Sequence, residues 1–483
     1  MKEFFGRHRK KLVALALVVA APPVAHVAID RAARFDPPAV TSVSLTRTDV
    51  RGTRRAGRGW SAMRGVRVVS LAGSPEEIGA EHTTLLYDRM AEDERVLWDG
   101  FRALVPFGPA RIALFDLGRL RYRGVEAGIP EERRRELAAE ARAFSPDPYA
   151  SNMPTYPRMV FLHALYDIAL GFEHSPLLGC TAFGLGPNAT TDGHALFARA
   201  FDFEAADVFD SDKVAFVVRE EKKIPFLSVA WPGLVGVVTG MNAAGVALAV
   251  HGGRAREPST VGVPVVFSLR DALSRAHDTN EAVAILSSQP VMVSHIVFVG
   301  DAQGKYAIVE RAPDMPAFAR SAGDDSGKLA ITNHFEGPLS GDPRDTRVRE
   351  TTTTLQRRAR IEELLAAVPP HSATPTTALA MLRDHRCAGG ERCVLGDRRS
   401  IDAFIATHGV VFDLTARTAW ISEGPHLSGA FAKIDLADLV TRGDEPGTFG
   451  ELETLPADTA LEDGSYAKGR ANAGGPLLSG ARP

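Results

Sequence analysis

The chain has 483 residues, of which 45% are hydrophobic and 24% are charged. This length and composition support a sizeable core and exclude an intrinsically disordered chain. The 56 Lys and Arg residues nearly balance the 59 Asp and Glu residues, for a formal net charge of -3, so no whole-chain positive field favours nucleic acid as a partner. Three cysteines are too few for a disulfide scaffold and leave at least one unpaired.

The N-terminus predicts export. Four cations precede a run over residues 12–29 that has no formal charge. The cations are Arg7, Arg9, Lys10 and Lys11. This order is typical of a secretory signal, whereas the length of the run and the lack of a clean cleavage site fit a membrane anchor. We therefore expect residues 1–29 to be a signal peptide or an N-terminal anchor, and the protein to be periplasmic, extracellular or held at the membrane.

Residues 30–179 are predicted to be mainly helical. A capping box with a first-turn proline lies at 74–77, and apolar residues then recur at helical spacing to Leu104. A second helix is predicted to begin near Pro130, with the arginines at 133–135 on its solvent-facing side.

At Cys180 the pattern changes from helical to extended. The segment that begins with this cysteine leads to Asp192-Gly193, and residues 195–203 are apolar again. An Asp-Gly pair between two such runs predicts a β-hairpin. Strict alternation puts Arg199 and Asp202 of the returning strand on opposite faces, so both can approach the cysteine only at a bulge or a strand end.

Further strands and helices follow in blocks, without regular βαβ alternation, which favours a layered α+β fold. The predicted strands are 214–218, 234–239, 246–250, 295–299, 306–309 and 410–419, and the predicted helices are 268–276, 281–286, 360–367 and 377–382. From residue 456 the chain loses periodicity and is rich in Gly, Pro, Asp and Glu. Residues 456–483 are therefore predicted to be a flexible tail.

The other two cysteines have several explanations. Cys387 and Cys393, with His385 nearby, could form half of a zinc site, but no second ligand pair has matching spacing. In an exported protein a disulfide between them is favoured, and two free buried thiols are the alternative. The disulfide would leave Cys180 as the single thiol, for which a small buried core residue is the ordinary explanation. No metal site and no cofactor is predicted.

Seven segments between residues 71 and 436 occur in an order that resembles a known family. They are GSP at 73–75 with Gly79 and His82, FLHALYD at 161–167, Gly179-Cys180 with Arg199 and Asp202, TGMNAAG at 239–245, LAITNHF at 329–335, Arg357 with Arg360, and 411–425. Their succession resembles the autoproteolytic N-terminal-nucleophile acyltransferases and amidohydrolases related to penicillin acyltransferase and, more distantly, to bile-salt and penicillin V hydrolases.

The resemblance implies an α+β fold, a four-layer αββα sandwich of the N-terminal-nucleophile hydrolase type. It implies a precursor that cuts its own Gly179–Cys180 bond, giving a helical α chain (30–179) and a catalytic β chain (180–455) that remain associated. A thiol of pKa about 8.5 needs a base, and the freed α-amine of the same residue, with pKa about 8, can serve as one.

The same resemblance implies roles for single residues. Cys180 would attack an amide or thioester carbonyl, Arg199 would favour its thiolate, and Asp202 would hold the α-amine. Asn333 would donate its side-chain amide to the oxyanion, and Arg357 would brace the group. A turn cap for Asn333 and a solvent-facing helix residue for Arg357 are the ordinary alternatives.

Two positions depart from the family pattern. Ala200 stands where family members commonly carry Asn, and His251 stands where the next strand often ends in Asn near the oxyanion. We keep His251 and Asn242 as candidates for oxyanion or substrate contacts, with a packed core histidine as the alternative for His251.

We therefore expect a self-processing, cofactor-free cysteine amidohydrolase or acyltransferase that acts on a small-molecule amide or acyl substrate and binds no nucleic acid. Residues 12–29 could associate the protein with a membrane. Two other classes stay open: a noncatalytic envelope binding protein that kept the fold, and a phospholipase or lipid-amidase type of N-terminal-nucleophile hydrolase.

Overall fold

The computed structural model describes residues 20–50, 52–171, 178–203, 206–322, 327–447 and 451–474. Most of the expected signal or anchor (1–19) and the last part of the expected tail (475–483) lie outside the described residues. Over the described ranges, no helix combines the length and the apolar character that crossing a bilayer requires.

Strands and helices are numbered in chain order. The strands are β1 (Thr48–Val50), β2 (Thr53–Ala56), β3 (Gly59–Arg64), β4 (Val66–Gly73), β5 (Leu178–Leu185), β6 (Leu196–Phe203), β7 (Val214–Glu220), β8 (Phe226–Ala230), β9 (Thr239–Asn242), β10 (Ala247–Gly252), β11 (His295–Gly300), β12 (Tyr306–Arg311), β13 (Phe318–Ser321), β14 (Lys328–Ile331), β15 (Ala406–Asp413), β16 (Thr418–Ser422), β17 (Phe431–Asp435) and β18 (Thr454–Leu455). The helices are α1 (20–32), α2 (Pro75–Leu104), α3 (Gly108–Arg121), α4 (Glu131–Ala143), α5 (Thr155–His163), α6 (Leu165–Leu170), α7 (Val208–Ser211), α8 (Val265–Arg275), α9 (Thr279–Ser287), α10 (Pro343–Thr351), α11 (Thr354–Ala367), α12 (Pro375–Leu382), α13 (Leu436–Arg442) and α14 (Ser465–Ala473).

Two sheets form the centre of the molecule. Sheet A has the order β1-β2-β3-β4-β7-β8-β9-β10-β11-β12-β13, and sheet B has the order β14-β5-β6-β15-β16-β17-β18. Their inner faces meet in one apolar core, where the rings of Phe197 and Phe298 lie 4.8 Å apart. Helices α2, α4, α8 and α9 cover the outer face of sheet A, and α11 and α12 cover that of sheet B. This layer order confirms the predicted αββα sandwich of the α+β class.

The prediction of a mainly helical segment before Cys180 was wrong for residues 48–73. They form β1 to β4, which extend sheet A through a parallel pairing of β4 with β7. The buried Val66, Val68 and Val69 supply the β-branched side chains that suit a strand. The partner strand lies far along the chain, so the local sequence carried little of the signal.

The capping box at the start of α2 is confirmed. The backbone N–H of Glu77 donates to Ser74 Oγ at 3.3 Å, and the Ser74 N–H donates to Glu77 Oε2 at 2.8 Å.

The segment expected to be a flexible tail contains α14, in which the Tyr466 ring packs edge-on against Phe404.

Two predicted strands in the β chain were wrong in extent. Residues 234–238 form a loop, because the Val237 N–H donates to Val266 O at the start of α8 instead of joining a ladder. The predicted strand 410–419 is divided into β15 and β16 by a turn in which Arg417 has a φ of 58°.

The prediction of a solvent-facing side for the arginines at 133–135 was wrong for Arg133. Arg133 is buried and forms ion pairs with Glu136 and with Glu220 of β7, and Arg270 of α8 pairs with the same two carboxylates. Two cations against two anions leave this cluster without net charge, which makes its burial tolerable. The cluster joins α4, which precedes Cys180, to elements that follow it.

Two buried histidines predict a loss of stability in acid. His82 Nε2 accepts a hydrogen bond from the Gly233 N–H, and His163 Nε2 accepts one from the Val235 N–H, each at 2.9 Å. Burial lowers the pKa of His82 to about 3 and that of His163 to about 4. The folded-state pKa lies below the unfolded value of about 6.5, so the stabilisation is complete above about pH 6.5 and is lost as the pH falls toward the folded value.

At about pH 5 each histidine is expected to cost about 2 kcal/mol of unfolding free energy relative to neutral pH. Urea unfolding at both pH values measures this cost. His163→Gln should reduce the pH dependence, whereas the same change at the exposed His277 should not. A pH dependence left intact by His163→Gln contradicts the assignment.

Candidate active site

Cys180 and Arg199 lie side by side on the predicted hairpin, which β5 and β6 form. In the register of this pair Cys180 is opposite Phe201, and Ala182 is opposite Arg199. The four side chains therefore share one face, which faces sheet A. Cys180 and Arg199 have no solvent exposure, and Arg199 Nη2 lies 3.6 Å from Cys180 Sγ.

Neutral partners hold the Arg199 guanidinium. It donates to Val238 O at 2.9 Å, to Val250 O at 2.5 Å and to Thr239 Oγ1, and its central carbon lies 4.3 Å from the centre of the Phe201 ring. Within the described ranges no carboxylate lies at ion-pair distance from Arg199. A buried cation without an anionic partner stabilises any anion that forms beside it, and the thiol of Cys180 is in that position.

The thiol is shielded from solvent. Burial raises the pKa of Cys180, the positive charge of Arg199 and its hydrogen bond oppose this rise, and Asp202 adds to it. In this environment the thiol is therefore neutral at physiological pH, and it needs a base before it can act as a nucleophile.

Asp202 lies beside the Gly179–Cys180 bond. It is opposite Gly179 in the β5–β6 ladder, on the other face from Arg199, as strict alternation predicts. Asp202 Oδ2 is 2.8 Å from the position that a Cβ on Gly179 would occupy, so a larger residue at 179 would collide with the carboxylate. The β5–β6 ladder has no register shift, so the bulge considered for the hairpin is not found there, and Asp202 lies next to the end of β6. A register shift occurs instead in the pairing of β6 with β15, between Ala406 and His408.

Asn333 holds the backbone of Cys180. Its Oδ1 accepts from the Cys180 N–H at 2.8 Å and from Arg357 Nη2 at 2.9 Å, and its Nδ2 donates to Gly252 O at 3.0 Å. The arginine can only donate, which fixes the orientation of the amide. In this arrangement the amide N–H expected to serve the oxyanion is engaged by Gly252.

Arg357 holds the carbonyl group of the same residue. From α11 its Nη1 donates to Cys180 O at 2.5 Å and to Thr181 Oγ1 at 3.0 Å. The side chain is buried, unlike a solvent-facing helix residue. The sulfur, the backbone nitrogen and the carbonyl oxygen of Cys180 are thus each contacted by a different predicted site residue.

His251 is close to this cluster without a bond to it. The imidazole is fully buried in β10, and neither ring nitrogen has a hydrogen-bond partner among the residues that the structure describes. Burial lowers the pKa of His251, and the charges of Arg199 and Arg357 lower it further. An interaction with the Thr332 backbone opposes this shift, but burial is the largest effect, so the ring is neutral and carries one N–H donor.

Asn242 is not part of the cluster. Its Nδ2 donates to Leu273 O and Ala276 O at the end of α8, and its Oδ1 accepts from the N–H groups of Ala244 and Val246. All of its polar atoms are used to fix the turn between β9 and β10 against α8. Asn242 therefore has no free polar atom for the predicted contact with the oxyanion or the substrate.

Sequence reasoning missed three residues of the site. Thr239 accepts from Arg199 and lies 3.0 Å from His408 Nε2, and the Tyr166 hydroxyl is buried without a partner among the described residues. Burial is the largest cause of the raised pKa of Tyr166, and the negative charge of a Cys180 thiolate is the next. Thr239 and Tyr166 lay inside the family-like segments, but His408 gave no local signal because only the pairing of β6 with β15 brings it to Arg199.

Cys387 and Cys393 form a disulfide with their Cα atoms 5.7 Å apart, the favoured alternative from the sequence. Cys180 is therefore the free cysteine of the chain.

Asp192, His194 and Asp413 lie close enough together to ligate one metal ion, at the far end of the hairpin, where His194 Nδ1 is 2.8 Å from Asp413 Oδ2.

Comparison with known families confirms the resemblance. Residues 189–426, just under half of the chain, match the model of the acyl-coenzyme A:6-aminopenicillanic acid acyl-transferase family. The match begins after Cys180 and includes Arg199, Asp202, Asn333 and Arg357.

Similar proteins are distant. An uncharacterized protein from Archaeoglobus fulgidus is 26% identical over 315 residues, which cover 57% of this chain and 51% of that protein. The chain thus spans about half the length of the curated relative that it matches. Three solved structures are also similar, with 14–18% sequence identity.

Of these structures, an N-acylethanolamine-hydrolyzing acid amidase ortholog from Caenorhabditis elegans has 14% identity and a TM-score of 0.36, covering 49% of this chain and 93% of that chain. Penicillin V acylase from Agrobacterium tumefaciens has 18% identity and a TM-score of 0.33, covering 58% and 99%. A mutant of the conjugated bile acid hydrolase from Clostridium perfringens has 15% identity and a TM-score of 0.35, covering 58% and 97%.

Proposed function

We propose that this chain, whose residues 189–426 match the model of the acyl-coenzyme A:6-aminopenicillanic acid acyl-transferase family, is a self-processing cysteine enzyme. It would hydrolyse or transfer the acyl group of a nonpeptide amide or thioester through an acyl-enzyme on Cys180. One observation supports this proposal above the others: Arg199, Asn333 and Arg357 contact the sulfur, the nitrogen and the carbonyl oxygen of one residue.

The first reaction in the proposal is self-cleavage. Cys180 Sγ attacks the carbonyl carbon of Gly179, the C–N bond breaks, and the nitrogen receives the proton that the thiol loses. Water then hydrolyses the thioester, which leaves a carboxyl group on Gly179 and restores the thiol. Asp202 lies beside Gly179, from where its carboxylate would accept a hydrogen bond from the freed α-amine and stabilise the α-ammonium that forms when the amine takes a proton.

The second reaction is turnover. The α-amine takes the thiol proton, the thiolate attacks the substrate carbonyl, and the leaving amine takes the proton back from the α-ammonium. Water or an acceptor amine then cleaves the thioester. Arg199 would stabilise the thiolate, and His251 and Asn333 are the proposed donors to the oxyanion. For Asn333 this role requires its amide to leave Gly252 O when substrate binds.

We also propose that the α and β chains stay together after cleavage. The ion pairs of Arg133 and Arg270 with Glu136 and Glu220 cross the cut site in sequence, and breaking them would leave buried charges unpaired. Export remains a proposal based on residues 1–29.

Mass spectrometry of the purified wild-type protein tests the proposed function. We expect two fragments, the second beginning with Cys180, and an added acyl mass on that fragment when turnover of a chromogenic amide is stopped with acid. A single chain that hydrolyses the amide would overturn the self-processing mechanism. A single chain without activity would favour the binding-protein alternative.

A further inference from the structure

Helix α3 buries charged residues and exposes apolar ones. Asp116 and Arg119 face the protein and are each 5% exposed, whereas Ile112, Leu114 and Leu117 are 54%, 52% and 59% exposed. A surface helix of a globular protein normally buries its apolar stripe and exposes its charged residues. The outer side of α3 therefore suits an apolar environment better than water.

The exposed apolar surface extends beyond α3. Leu104 at the end of α2 is 60% exposed, and Phe107 in the following turn is 67% exposed. We call these two residues together with Ile112, Leu114 and Leu117 the apolar face. Several exposed apolar side chains within so short a stretch favour a site of interaction with a protein or a membrane.

The inward polar residues of α3 hold α1 in place. His26 Nδ1 lies 2.7 Å from Asp116 Oδ2, and Arg119 Nη2 donates to Asp30 Oδ1 at 2.7 Å. Most of α1 is exposed, including Val24. Residues 20–29 of α1 belong to the uncharged run 12–29, and these two contacts hold that part of the run beside α3.

The surroundings of the apolar face are basic. Residues 105–123 contain four arginines; Arg119 is buried and paired with Asp30, whereas Arg121 and Arg123 are exposed at the end of α3. Apolar side chains next to exposed cations are typical of helices that lie in the interface of an anionic membrane. A protein partner would explain the apolar residues, but the continuity with a run preceded by four cations favours lipid.

We propose that α1 and the apolar face dock onto an anionic phospholipid bilayer, with α3 lying in the plane of the interface. The apolar side chains enter the boundary between headgroups and acyl chains, and the arginines contact lipid phosphates. This inference does not depend on the chemistry at Cys180, and it adds a second contact to the one expected from residues 12–29 alone.

A single added thiol can report on this contact in the full-length protein. The variant is made together with Cys180→Ala, because the proposed function makes Cys180 a reactive thiol. The other two cysteines are paired, so Leu117→Cys is then the free thiol and can be labelled selectively with an environment-sensitive fluorophore. We expect a blue shift and stronger emission with vesicles of equal parts phosphatidylcholine and phosphatidylglycerol. Ala366→Cys, an exposed position on α11 of the opposite layer, is the matched control and should not respond.

Other outcomes overturn the proposal. Vesicle binding without a change at Leu117→Cys would show that the N-terminal run acts alone, and absence of vesicle binding would exclude the lipid surface. A blue shift that depends on protein concentration without vesicles would assign the apolar face to a second copy. In support, Leu117→Glu should weaken vesicle binding by about tenfold, as expected for losing the burial of one leucine.

Discussion

Cys180→Ala is expected to leave the chain uncut and without measurable turnover of any amide. The substitution removes the sulfur that Arg199 contacts at 3.6 Å and leaves the backbone contacts of Asn333 and Arg357 in place. Because the side chain is small and buried in an apolar core, alanine should disturb folding little. The loss should therefore be chemical, with no nucleophile for either reaction.

Gel electrophoresis and intact mass give the state of the chain, and release of a chromogenic amine gives turnover. Cys393→Ala is the matched control because it also removes one sulfur, that of the Cys387–Cys393 disulfide, and it should leave cutting and turnover intact. Cys180→Ser keeps a hydroxyl of similar size, but its much higher pKa should slow both reactions. If Cys180→Ala is still cut after residue 179, another nucleophile is responsible.

The local part of the site followed from the sequence. The change of periodicity at Cys180 and the Asp-Gly pair predicted the hairpin, and alternation along one strand placed Arg199 and Asp202 on opposite faces. Pairing along a hairpin is a short-range property, so the register that joins Ala182 to Arg199 needs little from the rest of the chain.

The distant part needed the family resemblance. Asn333 and Arg357 reach Cys180 from 153 and 177 residues away, through the pairing of β14 with β5 and the packing of α11. Periodicity reports nothing about such contacts. The resemblance supplied the residues but not their bonds, since the amide of Asn333 donates to Gly252 O and Asn242 proved to be a turn residue.

Long-range pairing also explains the errors in the fold. Strands β1 to β4 gain their place from β7, and Arg133 is buried because Glu220 of the same β7 compensates its charge. In both cases the decisive partner comes after Cys180 in the chain. The sequence near β1 to β4 and near Arg133 therefore gave no sign of the strand or the carboxylate that each contacts in the folded protein.

Arg199→Met is expected to slow turnover by roughly 100- to 1000-fold, the usual cost of removing one preorganised donor at a reacting centre. The charge and the hydrogen bond of Arg199 lower the pKa of the Cys180 thiol against the effect of burial. Without them the thiol pKa rises, so the limb of the rate profile that reports thiol ionisation should move to higher pH.

The pH profile separates this role from a structural one. Arg199→Met also leaves Val238 O and Val250 O without their donor, which should lower thermal stability. Arg199→Lys keeps the positive charge but cannot make all the hydrogen bonds of arginine. It should therefore return the thiol limb of the pH profile close to its wild-type position while leaving the thermal stability low. Arg270→Met is the matched control, because Arg270 is also buried near a phenylalanine ring but belongs to the ion-pair cluster on the outer side of sheet A. Each pH–rate profile is measured on the part of the protein that has been cut after residue 179. The contrary result is that Arg199→Met and Arg270→Met lose the same thermal stability and neither shifts the pH at which the thiol ionises. Arg199 would then be a core residue, and only the α-ammonium would stabilise the thiolate.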